Sequence, residues 1–125
     1  MRILLDTHIY LWWLQDHPKL SNHARSLIVN ANEVYVSSAS IWEAAIKVGI
    51  GKLEADVDNL VTEIERSGFR ELCISTKHAA AVRTLPDFHN DPFDRILIAQ
   101  AMCEPLQLLT HDEKLKTYSQ LVMTV

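Results

Sequence analysis

Residues 2–14 read RILLDTHIYLWWL, a four-residue run, Arg2 to Leu5, that is apolar after its first residue and stops abruptly at Asp6-Thr7. A short unbroken apolar run ending in a polar pair is the pattern of a strand buried on both faces, as in a parallel sheet, that feeds directly into a helix. The helix expected over residues 8–14, HIYLWWL, is nearly apolar on every side. Successive helical residues lie about 100° apart, so one core cannot take them all. At least one of Trp12 and Trp13 is therefore expected to meet a second chain, and His17-Pro18 ends the helix.

Working outward, the same alternation continues. SNHARSLIVNA reads as a helix capped by Ser21 or Asn22, EVYVS as a β-branched strand, and SASIWEAAIKVGIGK as a helix closed by Gly49 and Gly51. DVDNLVTEIERSG is an amphipathic helix with Leu60, Val61 and Ile64 inward, followed by strand RELCI and helix STKHAAAVRTL. After the polar loop PDFHND, Pro92 opens helix PFDRILIAQAMCE, strand LQLLT leads into HDEKLKTYS, and LVMTV closes the chain as a strand. Strands alternating with helices predict an α/β fold, a three-layer α/β/α sandwich around a mainly parallel central sheet, with residues 1–125 as one domain.

Composition excludes several classes. The 125 residues are enough to bury a core without staples, and Cys73 and Cys103, with no CxxC spacing, read as small buried hydrophobes of a reducing cytoplasm. The first residues match neither a signal peptide nor a membrane span. A formal net charge of −4 weighs against a nucleic-acid binder, though acids gathered around a cation would give a nuclease the same balance. There is no GxSxG, P-loop or GxGxxG, so neither serine nucleophile nor nucleotide cofactor is indicated.

Asp6, Glu43, Asp94 and Asp112 stand where strands end or helices begin, and in a parallel sheet those positions share one edge. Each has an ordinary structural explanation. Asp6 can cap the helix at Thr7, Ser40 and Glu43 have the spacing of a capping box, Asp91 can cap the helix that carries Asp94, and Thr110 with Glu113 makes a second such box. Taken together they repel one another, and a divalent cation is what relieves that repulsion. An all-oxygen set favours Mg²⁺, with Mn²⁺ as alternative, over Zn²⁺. A zinc site from His89-x-Asp91 and His111-Asp112 is the rival. Arg95 and Lys114 are candidates for steering phosphate, with solvated surface charge or pairing to an acid as the plainer reading of each.

In that order and over a chain of this size, LLDTHIYLWWL, SSASIWE, HNDPFDRILIAQA and LLTHDEKL resemble the PIN-domain ribonucleases, specifically the VapC-type toxins of toxin–antitoxin pairs. The resemblance implies Asp6, Glu43, Asp94 and Asp112 as an acidic quartet that is both catalytic and metal-binding, around Mg²⁺ or Mn²⁺. It further implies endonucleolytic hydrolysis of RNA, a homodimer, and a cognate antitoxin protein as partner. Asp91 is kept as a cap or auxiliary acid. Two alternatives are a receiver-like phosphoacceptor domain, which normally has adjacent acids after its first strand where this chain has Asp6 alone, and a non-catalytic α/β binding module whose acids are caps.

Overall fold

The computed structural model describes residues 1–125. Five strands, β1 (Arg2–Leu5), β2 (Glu33–Ser37), β3 (Arg70–Leu72), β4 (Gln107–Thr110) and β5 (Val122–Thr124), form one sheet in the order β3-β2-β1-β4-β5. Every pairing is parallel. The helices are α1 (Thr7–Gln15), α2 (Asn22–Asn30), α3 (Ser38–Gly49), α4 (Val57–Arg66), α5 (Thr76–Ala81) and α6 (Pro92–Cys103), with 3₁₀ turns at Val82–Thr84 and Glu113–Thr117.

Side-chain alternation along β1 divides the interior in two. Ile3 and Leu5 join Val34, Val36 and Leu109 under α1, α2 and α4, where Ile9, Tyr10, Ala24, Ile28, Leu60 and Ile64 complete the layer. Leu4 and Leu108 point the other way, onto Ile96, Leu97 and Ile98 of α6. Leu4, Leu5, Leu108 and Leu109 are all fully buried, and burial of such a side chain stabilises the fold by roughly 1.5–3 kcal/mol. The three-layer expectation is met, and no helix is long and apolar enough to cross a membrane.

Three local expectations are corrected. Val61 is 49 % exposed, because it sits one 100° step off the Leu60–Ile64 stripe. Strand β3 stops at Leu72, so Cys73 lies beyond the edge of the sheet, exposed, with its thiol against Glu71; Cys103 is half-buried at the end of α6 and both are free thiols. Helix α5 ends at Ala81 and tightens into the 3₁₀ turn Val82–Thr84. Helix α1 buries Ile9, Tyr10 and Leu11 within the chain, where the Tyr10 hydroxyl donates to the Leu60 carbonyl at 2.6 Å, while Trp12, Trp13 and Leu14 stay half-buried, Trp13 packing on Phe69 with ring centroids 5.5 Å apart. Trp12, also half-buried and packed against this layer, has histidines as its aromatic neighbours, His8, His17 and His111.

Candidate active site

The chain leaves β1 toward β2 and β3, then returns on the other side of β1 to make β4 and β5. That reversal opens a crevice beyond the carboxyl ends of β1 and β4, the place where open α/β sheets hold ligands. Asp6 is the residue after β1, and its N–H donates to the Leu109 carbonyl at 2.9 Å, which ties it to the end of β4. Its carboxylate caps α1, accepting the His8 N–H at 3.0 Å, and also accepts the Thr110 hydroxyl at 2.6 Å. Asp6 is 5 % exposed. Burial holds its pKa above the ordinary value despite both hydrogen bonds, and the charge of Glu43 pushes in the same direction.

The capping-box reading of Glu43 does not survive. Helix α3 begins three residues earlier than that box requires: Ser37 is the cap, its hydroxyl accepting the Ala39 N–H at 3.0 Å. Ser40 lies inside the helix and its hydroxyl accepts the Thr7 hydroxyl at 2.9 Å, locking α3 to the start of α1. Glu43 is buried in the second turn, paired with Lys47 at 3.0 Å. With no capping duty to lose and an oxygen retained for Lys47, Glu43→Gln is expected to change the stability by about 1 kcal/mol or less while weakening Mn²⁺ binding measured by calorimetric titration. Wild-type affinity in that variant removes Glu43 from the site.

Asp94 and Asp91 separate cleanly by geometry. Asp91 caps α6, accepting the N–H groups of Phe93 at 2.9 Å and Asp94 at 3.2 Å. Asp94 is free of that duty and its carboxylate meets His89 Nε2 at 2.7 Å. Burial, with the charges of Asp6 and Asp91 adding to it and the His89 hydrogen bond opposing, lifts the Asp94 pKa to about 6. Asp112 caps the 3₁₀ turn Glu113–Thr117 by accepting the Lys114 N–H at 2.9 Å, so Thr110 is not a capping-box residue. Instead the Thr110 hydroxyl accepts the Asp112 N–H at 3.1 Å while donating to Asp6, and so one buried side chain positions two of the acids.

His89, Asp94 and Asp112 offer donor atoms within 4.8 Å of one another. Asp6 and Glu43 stand outside that tight set but bear on it through charge, Glu43 on Asp6 and Asp6 on Asp94. His89 is thus placed beside the acids, and its sequence context gave no sign of it except as half of a zinc pair; Asp91 is not its partner and His111 turns away to the Val125 carbonyl at 2.8 Å. The loop bearing His89 is held by Arg95, whose guanidinium donates to the carbonyls of Pro86 at 2.9 Å and His89 at 3.3 Å. Arg95 is therefore neither a phosphate-steering group nor an acid's partner, while Lys114 is exposed. Carboxylates arriving from four chain segments, with two of them held above their usual pKa, are a donor set suited to a divalent cation.

A family profile described as PIN domain matches residues 3–121. Over 118 residues the chain is 29 % identical to Ribonuclease VapC22 of Mycobacterium tuberculosis (strain ATCC 25618 / H37Rv), covering 93 % of this chain and 91 % of that protein. Two solved structures share the fold. The crystal structure of VapBC2 from Rickettsia felis bound to a DNA fragment from their promoter superposes with a TM-score of 0.67 at 20 % identity, covering 100 % of this chain and 98 % of that one. A toxin–antitoxin complex from Klebsiella pneumoniae gives 0.66 at 19 % identity, with 98 % and 96 % coverage.

Proposed function

The chain belongs to the PIN domain family, and from that premise we propose that it is a divalent-metal-dependent endoribonuclease, the toxin of a toxin–antitoxin pair. The observation that carries the reading is that His89, Asp94 and Asp112 bring donor atoms within 4.8 Å of one another, with Asp6, at the switch point of the sheet, and Glu43 bearing on that set through charge and Asp94 lifted to about 6. The likeness to Ribonuclease VapC22 over nearly the full length of both chains supports RNA as substrate. The two toxin–antitoxin structures with this fold support a cognate antitoxin as partner. A homodimer, a single domain over residues 1–125 and a cytoplasmic location complete the proposal.

Asp6, Glu43, Asp94 and Asp112 would hold Mg²⁺ or Mn²⁺, with His89 either bracing Asp94 or supplying one nitrogen. A bound cation of this kind lowers the pKa of a coordinated water and offsets charge on the scissile phosphate during in-line attack. The chain's own contribution is placement. Thr110 fixes the rotamer of Asp6 and the backbone at Asp112, Lys47 neutralises part of the Glu43 charge, and Arg95 fixes the loop that delivers His89. A receiver-like phosphoacceptor is disfavoured, since Asp6 stands alone after β1 and is committed to Thr110 and the α1 cap.

The test is incubation of the purified protein with single-stranded RNA and the matched DNA in Mn²⁺, with the new ends sequenced. Discrete internal cuts in RNA are expected. Stoichiometric Zn²⁺ is not expected to replace Mn²⁺ or Mg²⁺, because only His89 among the donors is nitrogen. Cleavage supported by Zn²⁺ alone would transfer the site to the histidine reading, and intact RNA under every cation would end the nuclease proposal.

A further inference from the structure

The acids occupy only one side of the crevice. A cleft of about 610 Å³ runs from Asp6 and Asp112 to a wall made by His8, Trp12, Lys19 and His111. A second, narrower cleft of about 160 Å³ shares His8 and Trp12 and continues past Lys47 and Lys52. Trp12 is therefore the ridge between two clefts, with basic or imidazole side chains on each flank. Lys19 is the one lysine or arginine lining the larger cleft, beside Asp6 and Asp112.

The wall is built rather than incidental. The His17 ring lies nearly parallel to the Trp12 indole, 23° between planes and 5.7 Å between centroids, and His111 meets it edge-on at 5.2 Å. His111 is itself anchored by the Val125 carbonyl at 2.8 Å. The turn carrying His17 and Lys19 is pinned by Arg25, which donates to the His17 carbonyl at 2.9 Å and pairs with Asp16 at 2.7 Å. His17 Nδ1 accepts the Lys19 N–H at 3.0 Å, and Lys19 Nζ stands 6.0 Å from the Trp12 ring centre. Lys47 is committed to Glu43, whereas Lys19 has no acidic partner and is exposed.

We propose that Trp12 and Lys19 form a nucleoside subsite, in which a base of the single-stranded RNA stacks on the part of the Trp12 indole that lines the larger cleft, away from His17, and the adjoining phosphate is met by the Lys19 ammonium. The proposal rests on the nuclease reading above. A rigid aromatic face beside an unpaired cation is how single strands are held without regard to sequence, the ring taking the base and the cation the backbone. Preorganisation by His17 and His111 keeps the ordering cost of binding low. Trp12 is here a positioning residue. It sets which phosphate arrives at the acids, and its stacking acts on substrate binding rather than on the chemical step.

The substitution Asp94→Asn in a Trp13→Phe, Trp42→Phe background leaves Trp12 as the sole tryptophan in a protein that binds RNA without cutting it. Titration with a mixed-sequence single-stranded oligoribonucleotide is expected to quench its emission saturably. With the otherwise wild-type chain and the same oligomer in Mn²⁺, Trp12→Ala is expected to raise KM by about tenfold, within the range of base–aromatic stacking, with kcat changed by less than about threefold and Trp12→Phe recovering most of the loss. Lys19→Glu, on an exposed side chain that cannot compromise folding, is expected to raise KM and to reduce the salt slope of binding by about one. Unquenched Trp12 under saturating RNA, or unchanged KM in all three variants, overturns the subsite while cleavage by the wild type leaves the nuclease reading standing. A ring that serves a protein partner instead gives that second result. Absence of cleavage by the wild type overturns both.

Discussion

Asp94→Asn, like removal of the divalent cation by a chelator, is expected to lower RNA cleavage by ~10²–10³-fold, while the metal-free variant melts at the same temperature as wild type or higher. The second half follows from the sign of the pKa displacement. Asp94 titrates near 6 in the folded chain against an ordinary aspartate value of 3.8, so between those values the native state holds a proton that the unfolded state has released. Stability of the metal-free protein therefore falls as pH rises from about 4 to about 6, and the deficit is fully present above that. The whole displacement sets a ceiling of about 3 kcal/mol. Discounted for solvent reaching a side chain 21 % exposed, it is on the order of 1–2 kcal/mol. Asparagine cannot ionise and keeps an oxygen for His89, so that share of the slope disappears. Thermal melts in chelator at acid and neutral pH read the stability, and product sequencing reads the cleavage. Near wild-type cleavage by the variant, or a metal-free variant clearly less stable than wild type at neutral pH, sinks the assignment of Asp94.

The pH argument also marks what separates a site acid from a capping acid, a distinction that spacing alone leaves open. Asp91 and Asp94 are three residues apart in one segment, and either can start a helix. What divides them is direction: Asp91 points its carboxylate back onto two N–H groups of its own helix, and Asp94 sends its carboxylate across to His89. That difference in direction favours Asp94 over Asp91 as the site acid. For Glu43 the local pattern misled in the opposite way. S-x-x-E is a real spacing at Ser40, but Ser37 sits one turn earlier, at the end of a strand whose last residue is already in extended backbone suited to a cap. The stronger cap took the helix start, and Glu43 was carried inward.

The sheet was legible because β1 and β4 are buried on both faces along most of their length and write themselves as apolar runs, and β2 carries β-branched Val34 and Val36 on its buried face. The edge was less so. Strand β3 is three residues with an exposed pattern, and nothing in RELCI signals that pairing ends before Cys73. His89 entered the sequence reading only through the rival zinc pairing with Asp91, and its place beside Asp94 was not foreseen. It lies in a polar loop, and its arrival at Asp94 depends on Arg95 and Tyr118 reaching back to the His89 carbonyl, at 3.3 Å in each case. Such contacts are long-range consequences of packing α6 and the Glu113–Thr117 turn together, and no local spacing encodes them. Helix α1 follows the same physics: the layer beneath absorbs Ile9, Tyr10 and Leu11, and Trp12, Trp13 and Leu14 stay half-buried, with Trp12 lining the crevice.

Thr110 is where sheet geometry and site chemistry meet in one side chain, and Thr110→Val is expected to cost about 10–100-fold in Mn²⁺ affinity and in cleavage. Valine has the same shape, so the fully buried pocket around residue 110 stays filled. What is lost is the hydroxyl, which donates to Asp6 at 2.6 Å and accepts from the Asp112 N–H at 3.1 Å. The Thr110 hydrogen bond is the largest influence opposing desolvation at Asp6. Its removal raises the Asp6 pKa further, so a cation has to displace a proton at higher pH, and the acid limb of the pH–rate profile moves upward. The Asp112 N–H loses its partner as well, at about 1–3 kcal/mol of stability. A purely structural role for Thr110 would show in the melting temperature alone. Calorimetric titration with Mn²⁺, the pH profile and recovery by Thr110→Ser, which restores the hydroxyl, distinguish the two roles. Wild-type Mn²⁺ affinity in Thr110→Val with an unmoved acid limb would mean that Asp6 is placed by its own cap and by β1, and that the hydroxyl linking the two acids has no part in the chemistry.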